Sequence, residues 1–154
     1  MRNKELQEDD AITINFYHTG VEYQSAASVL HDKPLVASML LAFSCECFLK
    51  AIIFLDKPDA FKVTGHNLEI LFGKLKAERQ ADLKELKKTL VDHKNLFMDS
   101  RYFVVDRYIY EKDENKMKEK KSLIISYQQL AEVSEYLKKY IGTISKNRKS
   151  TEGA

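Results

Sequence analysis

The chain has 154 residues, of which 44% are hydrophobic and 31% charged. This composition is that of one globular domain with a substantial core, and it excludes a largely disordered chain. The 25 basic and 23 acidic side chains leave a net charge of +2. So small an excess excludes nucleic-acid recognition by overall charge and leaves only local patches.

A first helix is predicted from about Asp10 to His31, because apolar residues recur there at helical spacing. Gly20 lies on the same stripe, where glycine costs about 1 kcal/mol relative to alanine, so we expect another helix to cross closely at this point. Pro34 then occupies the first turn of a second helix, where its missing N–H removes no hydrogen bond. The stripe of the first helix consists of Ile12, Phe16, Tyr23, Ala27 and Leu30.

The second helix, Leu35 to Leu55, is apolar on nearly every face and is predicted to form the centre of a helical bundle. Glu46 and Lys50 lie inside it, and charges near a bilayer centre cost about 2.5 to 3.5 kcal/mol each. We therefore predict a buried helix and no membrane partner. Cys45 and Cys47 point about 200° apart on this helix, so they cannot easily bridge or share a metal and should be small buried residues.

A break at residues 56–65, marked by Pro58 and Gly65, precedes two shorter helices. The fourth helix is predicted from about Gln80 to Met98, with His93 on its apolar face. The apolar stripe of the third helix is Leu68, Leu71, Phe72 and Leu75, and that of the fourth is Leu83, Leu86, Leu90 and Phe97.

Residues 101–127 change in character, because aromatic and β-branched residues flank the charged run KDENKMKEKK. This pattern predicts a small hairpin or an irregular arm. Ser126 and Gln129 have the spacing of a capping box, so the last helix is expected to begin at about Tyr127. Its inward face is expected to consist of Leu130, Val133, Leu137, Ile141 and Ile144.

Together these elements predict an all-α fold, an antiparallel bundle of about five helices. We expect this domain to span residues 10–145, between a flexible N-terminus at residues 1–9 and a disordered tail at residues 146–154. The N-terminus is charged and lacks the apolar run of a secretory signal, which together with the unpaired thiols predicts a cytoplasmic protein.

The sequence contains no glycine-rich phosphate loop, no zinc-type spacing of Cys or His, and no pair of histidines four apart. We therefore expect no metal and no cofactor. Glu46 and Lys50 are four residues apart, in the order that favours a helical ion pair. They either lie at an exposed edge of the second helix or form a buried polar cluster, where an unpaired charge would be far more costly.

His66 precedes a helix start, where the helix dipole disfavours a cationic ring and a neutral ring can donate or accept hydrogen bonds. The favoured interpretation is a polar residue that ties the loop to the bundle, with catalysis the minority one. His93 is more typical of a satisfied core histidine. Arg101 and Tyr102 offer a guanidinium fork beside an aromatic ring, which suits Glu46 within the fold or RNA from outside. Arginine at a helix C-terminus is also simply favourable.

The stretches LLAFSCECFLKAIIF, GHNLEILF and SRYFVV resemble the HEPN superfamily of all-helical domains, over about residues 11–140. The similarity is to a small bacterial branch with Glu-x-x-x-Lys, Gly-His-x-Leu and a later Arg-Tyr. It implies a helical bundle, a homodimer, and association with RNA cleavage, toxin–antitoxin systems or phage defence. In nuclease members an Arg followed four to six residues later by a His forms a metal-independent centre across the dimer. No arginine of this chain has a histidine at that spacing.

Three functional hypotheses follow. The first is a HEPN-like domain that binds RNA or a partner protein. The second is an atypical metal-independent ribonuclease with His66 and Arg101 as catalytic residues, supported by Glu46, Lys50 and Tyr102. RNA transesterification needs groups to remove and return a proton and a cation on the phosphate, which these residues could supply if the fold brings them together. The third is a structural scaffold in which the same residues form an internal network.

Overall fold

The structure is a computed structural model and describes residues 2–60, 65–94 and 114–153. These residues form helices and connecting turns, with no strand among them, so the predicted all-α bundle is confirmed. The helices are α1 (Arg2–Val29), α2 (Pro34–Asp56), α3 (Leu68–Gly73), α4 (Ala77–Asp82), α5 (Lys87–Asp92) and α6 (Glu114–Glu152), with a 3₁₀ turn at Lys84–Leu86 between α4 and α5.

Helices α1 and α2 form an antiparallel pair joined by a short turn. The ring of Phe16 stacks on that of Phe54 with centroids 5.5 Å apart, and Tyr23 packs on Phe43 at 5.4 Å. The later residue of α1 thus contacts the earlier residue of α2, as antiparallel helices require. Pro34 stands at the start of α2, as the sequence predicts.

The predicted close crossing at Gly20 is present. A Cβ built on Gly20 would lie 2.6 Å from Cε1 of Phe48, which no side chain could accept without a shift. The hydroxyl of Ser44 donates to the carbonyl oxygen of Gly20 at 2.7 Å. Glycine at this position therefore lets the backbone of α1 pack directly against the Phe48 side chain of α2.

Helix α2 lies at the centre of the bundle, with buried residues on every face from Pro34 to Phe54. By length and composition alone it could cross a membrane, yet 78% of its most apolar 18-residue window is buried inside the protein. Such burial is what a central core helix requires. Cys45 and Cys47 are both buried and free, as predicted.

Helix α6 packs on α2 in the parallel direction. Ser44 and Ser134 share a hydrogen bond of 2.9 Å between their hydroxyls, and further along both helices Arg148 donates to the carbonyl oxygen of Leu55 at 3.3 Å. The antiparallel relation expected for the bundle thus holds for α1 against α2, whereas α2 and α6 run the same way. The predicted inward face of α6 is buried in full.

Within the described residues, the region predicted as a fourth helix is broken into α4, the 3₁₀ turn and α5, and its predicted end at residues 95–98 lies outside the described part. Helix α4 buries none of its side chains, whereas Leu83 and Leu90 are completely buried. The predicted stripe of the third helix is confirmed, because all four of its residues are buried.

The last helix begins at Glu114 rather than at Tyr127, so the hairpin or arm predicted over residues 101–127 is wrong for residues 114–127. Residues 101–113 lie outside the described part. The capping box predicted at Ser126 is also wrong, because Ser126 lies inside α6 and its hydroxyl contacts Nε2 of His93 at 3.0 Å. A side chain recruited by a tertiary contact is not available to cap a helix start.

Both ends of the domain are more helical than the sequence suggests. Helix α1 begins at Arg2, eight residues before the expected start, and α6 continues to Glu152 through the tail expected to be disordered. Two contacts of Arg148 explain the second extension. Its guanidinium reaches the carbonyl of Leu55 on α2, and its Nε pairs with Glu152 one turn later at 3.1 Å.

Candidate functional site

A buried ion pair lies in the middle of the central helix. Nζ of Lys50 donates to Oε1 of Glu46 at 2.7 Å, and the two residues are only 8% and 6% exposed. The sequence left open whether Glu46 and Lys50 lie at an exposed helix edge or in a buried polar cluster, and the structure shows the buried cluster. The ring of Phe16 on α1 lies 5.8 Å from the Lys50 ammonium, so an aromatic face covers the cation.

His66 completes this cluster from the turn that follows α2. Its Nδ1 lies 3.0 Å from each carboxylate oxygen of Glu46. An ionised carboxylate only accepts hydrogen bonds, so Nδ1–H of His66 is the donor. The His66 side chain is 62% exposed, whereas that of Glu46 is 8% exposed. The cluster thus runs from a covered ammonium, through a shared carboxylate, to an imidazole at the surface. We call Glu46, Lys50 and His66 the surface triad.

The backbone around His66 explains how the ring reaches Glu46. Gly65 has φ of +106°, a conformation that glycine adopts without strain and other residues rarely adopt. Asn67 caps α3, because its side chain accepts a hydrogen bond from the backbone N–H of Ile70. The backbone N–H of Leu68 donates to the carbonyl oxygen of Lys94 at 3.3 Å. The turn is therefore fixed at the start of α3 and beside the end of α5.

The two remaining predicted site residues, Arg101 and Tyr102, lie outside the described residues. The structure brings together Glu46, Lys50 and His66, three of the five predicted. Lys94, two residues after the end of α5, neighbours the turn that carries His66, and Arg101 follows Lys94 by seven positions in the sequence.

His93 is the satisfied core histidine that the sequence predicts. It is buried, its Nδ1 lies 2.8 Å from the carbonyl oxygen of Thr89, and its Nε2 lies 3.0 Å from the Ser126 hydroxyl. The carbonyl can only accept, so Nδ1 carries a proton and the ring joins α5 to α6. Its role is structural.

A second polar network, which the sequence did not indicate, holds α4 against the end of α2. Arg79 makes two hydrogen bonds to the carboxylate of Asp56, at 2.9 and 3.0 Å, and this bidentate pairing raises the pKa of Arg79. The hydroxyl of Tyr140 donates to Asp82 at 2.6 Å. Burial, followed by this bond, raises the pKa of Tyr140, which the nearby Arg79 opposes. No spacing in the sequence links these four residues, which come from three helices.

Burial fixes the protonation state of the two thiols of α2. Burial raises the pKa of Cys45 to about 12 and that of Cys47 to about 11. Both thiols therefore stay protonated near neutral pH, and a protonated thiol is a poor nucleophile. Among the residues that the structure describes, no group of three or more His, Cys, Asp or Glu side chains could hold a metal ion.

Comparisons with protein-family models, with curated proteins and with solved structures find no match for this chain. Its function therefore has to be inferred from the geometry of the surface triad. The arrangement offers a ring whose orientation is fixed from below by a carboxylate and whose outer part faces solvent. Such a ring can stack on a base, form a hydrogen bond with a phosphate, or transfer a proton.

Proposed function

We propose that this protein is a HEPN-like helical domain that binds RNA through the surface around His66. The observation that carries the proposal is the exposed imidazole anchored on a buried Glu46–Lys50 pair. A buried ion pair is seldom the most stable choice for a core, since apolar residues of similar volume often serve as well or better. Retention of the pair in an otherwise apolar helix is understandable if it positions His66 for a ligand.

Two sequence segments that carry the HEPN resemblance support the proposal by their contact. The Glu-x-x-x-Lys stretch of α2 and the Gly-His turn before α3 meet through the bond between Glu46 and His66. We further propose that Arg101 and Tyr102, which follow Lys94 in sequence, contribute a cation and an aromatic ring to the same RNA surface. Single-stranded RNA is bound through this combination of phosphate contacts and base stacking. A homodimer, and a role in toxin–antitoxin or phage-defence systems, are part of the proposal through the resemblance.

Fluorescence anisotropy with a labelled single-stranded RNA tests this function. His66→Ala should weaken RNA binding roughly tenfold, because a stacked or phosphate-bound ring contributes about 1 to 3 kcal/mol. His18→Ala is the matched control, since His18 is an exposed histidine on α1. It should bind RNA like the wild type. Absence of RNA binding by the wild-type protein would refute the proposal and leave a partner protein as the ligand to seek.

A second candidate function, a metal-independent ribonuclease, is favoured by one specific observation. Because Glu46 accepts a hydrogen bond from Nδ1–H of His66, the basic nitrogen of the ring in its neutral form is Nε2. This is the tautomer that a general base requires to remove a 2′-hydroxyl proton. Incubation of the wild type with RNA in the presence of EDTA tests it. Cleavage that is lost in both His66→Ala and Arg101→Ala would establish the enzyme, and intact RNA would exclude it under those conditions.

The scaffold interpretation makes a different prediction for the same variants. If the surface triad only stabilises the fold, His66→Ala should lower the melting temperature while RNA binding and RNA cleavage stay at wild-type values. Measuring the melting temperature, RNA binding and RNA cleavage of the wild type and His66→Ala therefore distinguishes the binding, ribonuclease and scaffold hypotheses.

A further inference from the structure

A cleft of about 390 Å³ lies at the far end of α2 from its N-terminus, away from the surface triad. Along α2, Asp56 is ten residues beyond Glu46, which corresponds to roughly 15 Å of helix. One wall is a stripe of α6, and the opposite wall is formed by the end of α2 and the start of α4. The α6 stripe consists of Ile144, Asn147, Arg148 and Thr151, at helical spacing.

The lining of this cleft contains three cations, Lys76, Arg79 and Arg148, and two acids, Asp56 and Glu78. Arg79 and Asp56 bind each other through two hydrogen bonds and leave no net charge between them. Arg148 contacts the carbonyl of Leu55 and so offsets the partial negative charge at the C-terminus of α2.

Three lining side chains have hydrogen-bond donors that no described acceptor takes up. In the described part of the chain, the Lys76 ammonium comes no closer than 3.9 Å to Asp56, beyond hydrogen-bond distance. The Asn147 backbone carbonyl accepts from Ser150 and Thr151, whereas its side-chain amide makes no hydrogen bond to the described residues. Arg148 has five N–H groups and uses only Nε, on Glu152, and one N–H of Nη1, on Leu55. The cleft thus combines spare donors on the Lys76 ammonium with spare donors on the Arg148 guanidinium, which is paired with Glu152 through Nε alone.

We propose that this cleft binds a phosphate group through Lys76, Asn147 and Arg148. A guanidinium and an ammonium on opposite walls suit the tetrahedral oxygens of a phosphate, and the amide adds a neutral donor. The exposed carboxylate of Glu78 also lines the cleft and repels a bound phosphate, so it lowers the affinity for phosphate. The proposal does not depend on RNA binding at the surface triad.

Isothermal titration with inorganic phosphate tests the site by the sign of three substitutions. Lys76→Gln and Arg148→Gln should each weaken binding roughly three- to fivefold, as expected for exposed charge pairs, and Glu78→Gln should strengthen it by a similar factor. Lys88→Gln is the control, because Lys88 is an exposed lysine paired with Asp92 on α5. It should leave the phosphate affinity unchanged. No saturable phosphate binding, or equal affinity in all four variants, would overturn the proposal.

Two further titrations identify where the phosphate comes from. A 5′-phosphorylated mononucleotide tests a small ligand, and an unphosphorylated RNA oligonucleotide tests the phosphodiester backbone. RNA affinity that falls in Arg148→Gln and in His66→Ala alike would indicate one RNA across both sites. Mononucleotide affinity that falls in Arg148→Gln but not in His66→Ala would indicate a separate small-molecule site. RNA affinity that falls in His66→Ala only, with phosphate binding unaffected by Arg148→Gln, would refute the cleft and leave the surface triad standing.

Discussion

At the scale of single residues, the missing side chain of Gly20 sets the distance between α1 and α2. Phe48, which faces it, is completely buried, and its ring would lie 2.6 Å from a Cβ at this position. Interiors are packed at crystal-like density, so an added methyl group there must displace the helix or the ring. The Ser44 hydroxyl on α2 also donates a hydrogen bond to the Gly20 carbonyl, which fixes the backbone of α1 at this point.

Gly20→Ala should therefore lower the free energy of unfolding by roughly 1 to 3 kcal/mol, the usual cost of overpacking. Alanine is favoured over glycine in a helix by about 1 kcal/mol, and the clash outweighs this gain. Gly142→Ala is the matched control, because nothing lies within 4 Å of a Cβ built at Gly142 in α6. It should stabilise the protein in urea unfolding. Equal gains in both variants would show that the helices do not cross closely at Gly20.

The buried Glu46–Lys50 pair makes the second residue-scale prediction. Glu46→Gln leaves the Lys50 ammonium buried without its counter-ion, which should cost about 3 to 5 kcal/mol of stability. The double variant Glu46→Leu with Lys50→Met should recover most of that loss, because no charge is then buried. Glu69→Gln is the control. Its side chain is 44% exposed and that of its partner Lys94 is 41% exposed. Glu69→Gln should therefore lower the free energy of unfolding in urea by about 1 kcal/mol or less. A Glu46→Gln variant as stable as Glu69→Gln would contradict the burial described here.

The buried thiol of Cys45 predicts how stability depends on pH. Burial raises its pKa from the ordinary 9.0 to about 12 in the folded state. Below pH 9 both states keep the proton, and this contribution to stability is fully present. Above pH 9 the unfolded state loses the proton while the folded state keeps it. Stability should then fall by about 1.4 kcal/mol per pH unit until the folded thiol also ionises.

Urea unfolding of the wild type and of Cys45→Ala between pH 8 and about 11 isolates this contribution, because other titrating groups are common to both proteins. Cys45→Ala should be less stable at neutral pH, since it leaves a small cavity, and should lose stability less steeply as the pH rises. Parallel slopes in the two proteins would mean that Cys45 ionises in the folded state as readily as in the unfolded state.

At the scale of elements, α4 is attached to the bundle through polar side chains and not through a buried apolar face. It buries no side chain, and its attachment to α2 and α6 is the network of Arg79 with Asp56 and Tyr140. The carboxylate of Asp56 is itself largely buried, so Arg79 also neutralises a charge that would otherwise be costly. An element held by a few contacts opens more easily than the core helices.

Arg79→Met should release α4 locally. Its amide protons should exchange with solvent faster by about tenfold or more, because one charged contact of about 1.5 to 3 kcal/mol is lost. Hydrogen exchange followed by mass spectrometry measures this, and α2 should keep its protection. Lys88→Met on α5 is the control, since its exposed pair with Asp92 holds no other element in place. Unchanged exchange in α4 would show that Arg79 is not its anchor.

The helices that sequence predicts well are α3 and α6, whose inward faces repeat at helical spacing, and α2, which is apolar on nearly every face. The boundaries were missed where tertiary contacts decide them. Helix α6 extends to Glu152, where Arg148 reaches Leu55 on another helix, and Ser126 lies inside it with its hydroxyl in contact with His93. Neither contact joins neighbours in the sequence, so no local pattern could reveal them.

At the scale of the whole molecule, the surface triad depends on where α2 and the turn before α3 lie relative to each other. The four-residue spacing of Glu46 and Lys50 is the same on an exposed helix edge as in a core, which is why the sequence left both interpretations open. His66 is twenty residues from Glu46, and the Gly65 turn brings them together. Sequence named these three residues as candidates, and only the packing of the bundle shows that they touch.

We propose that Glu46 holds the His66 ring in place to meet RNA, and ¹⁵N NMR of the histidine rings tests this proposal most directly. In the free protein the Nδ1 of His66 should carry the proton bonded to Glu46. On addition of single-stranded RNA the ring resonances of His66 should shift, while those of His18 stay unchanged. A His66 ring that carries its proton on Nε2, or one whose resonances do not respond to saturating RNA, would contradict the account.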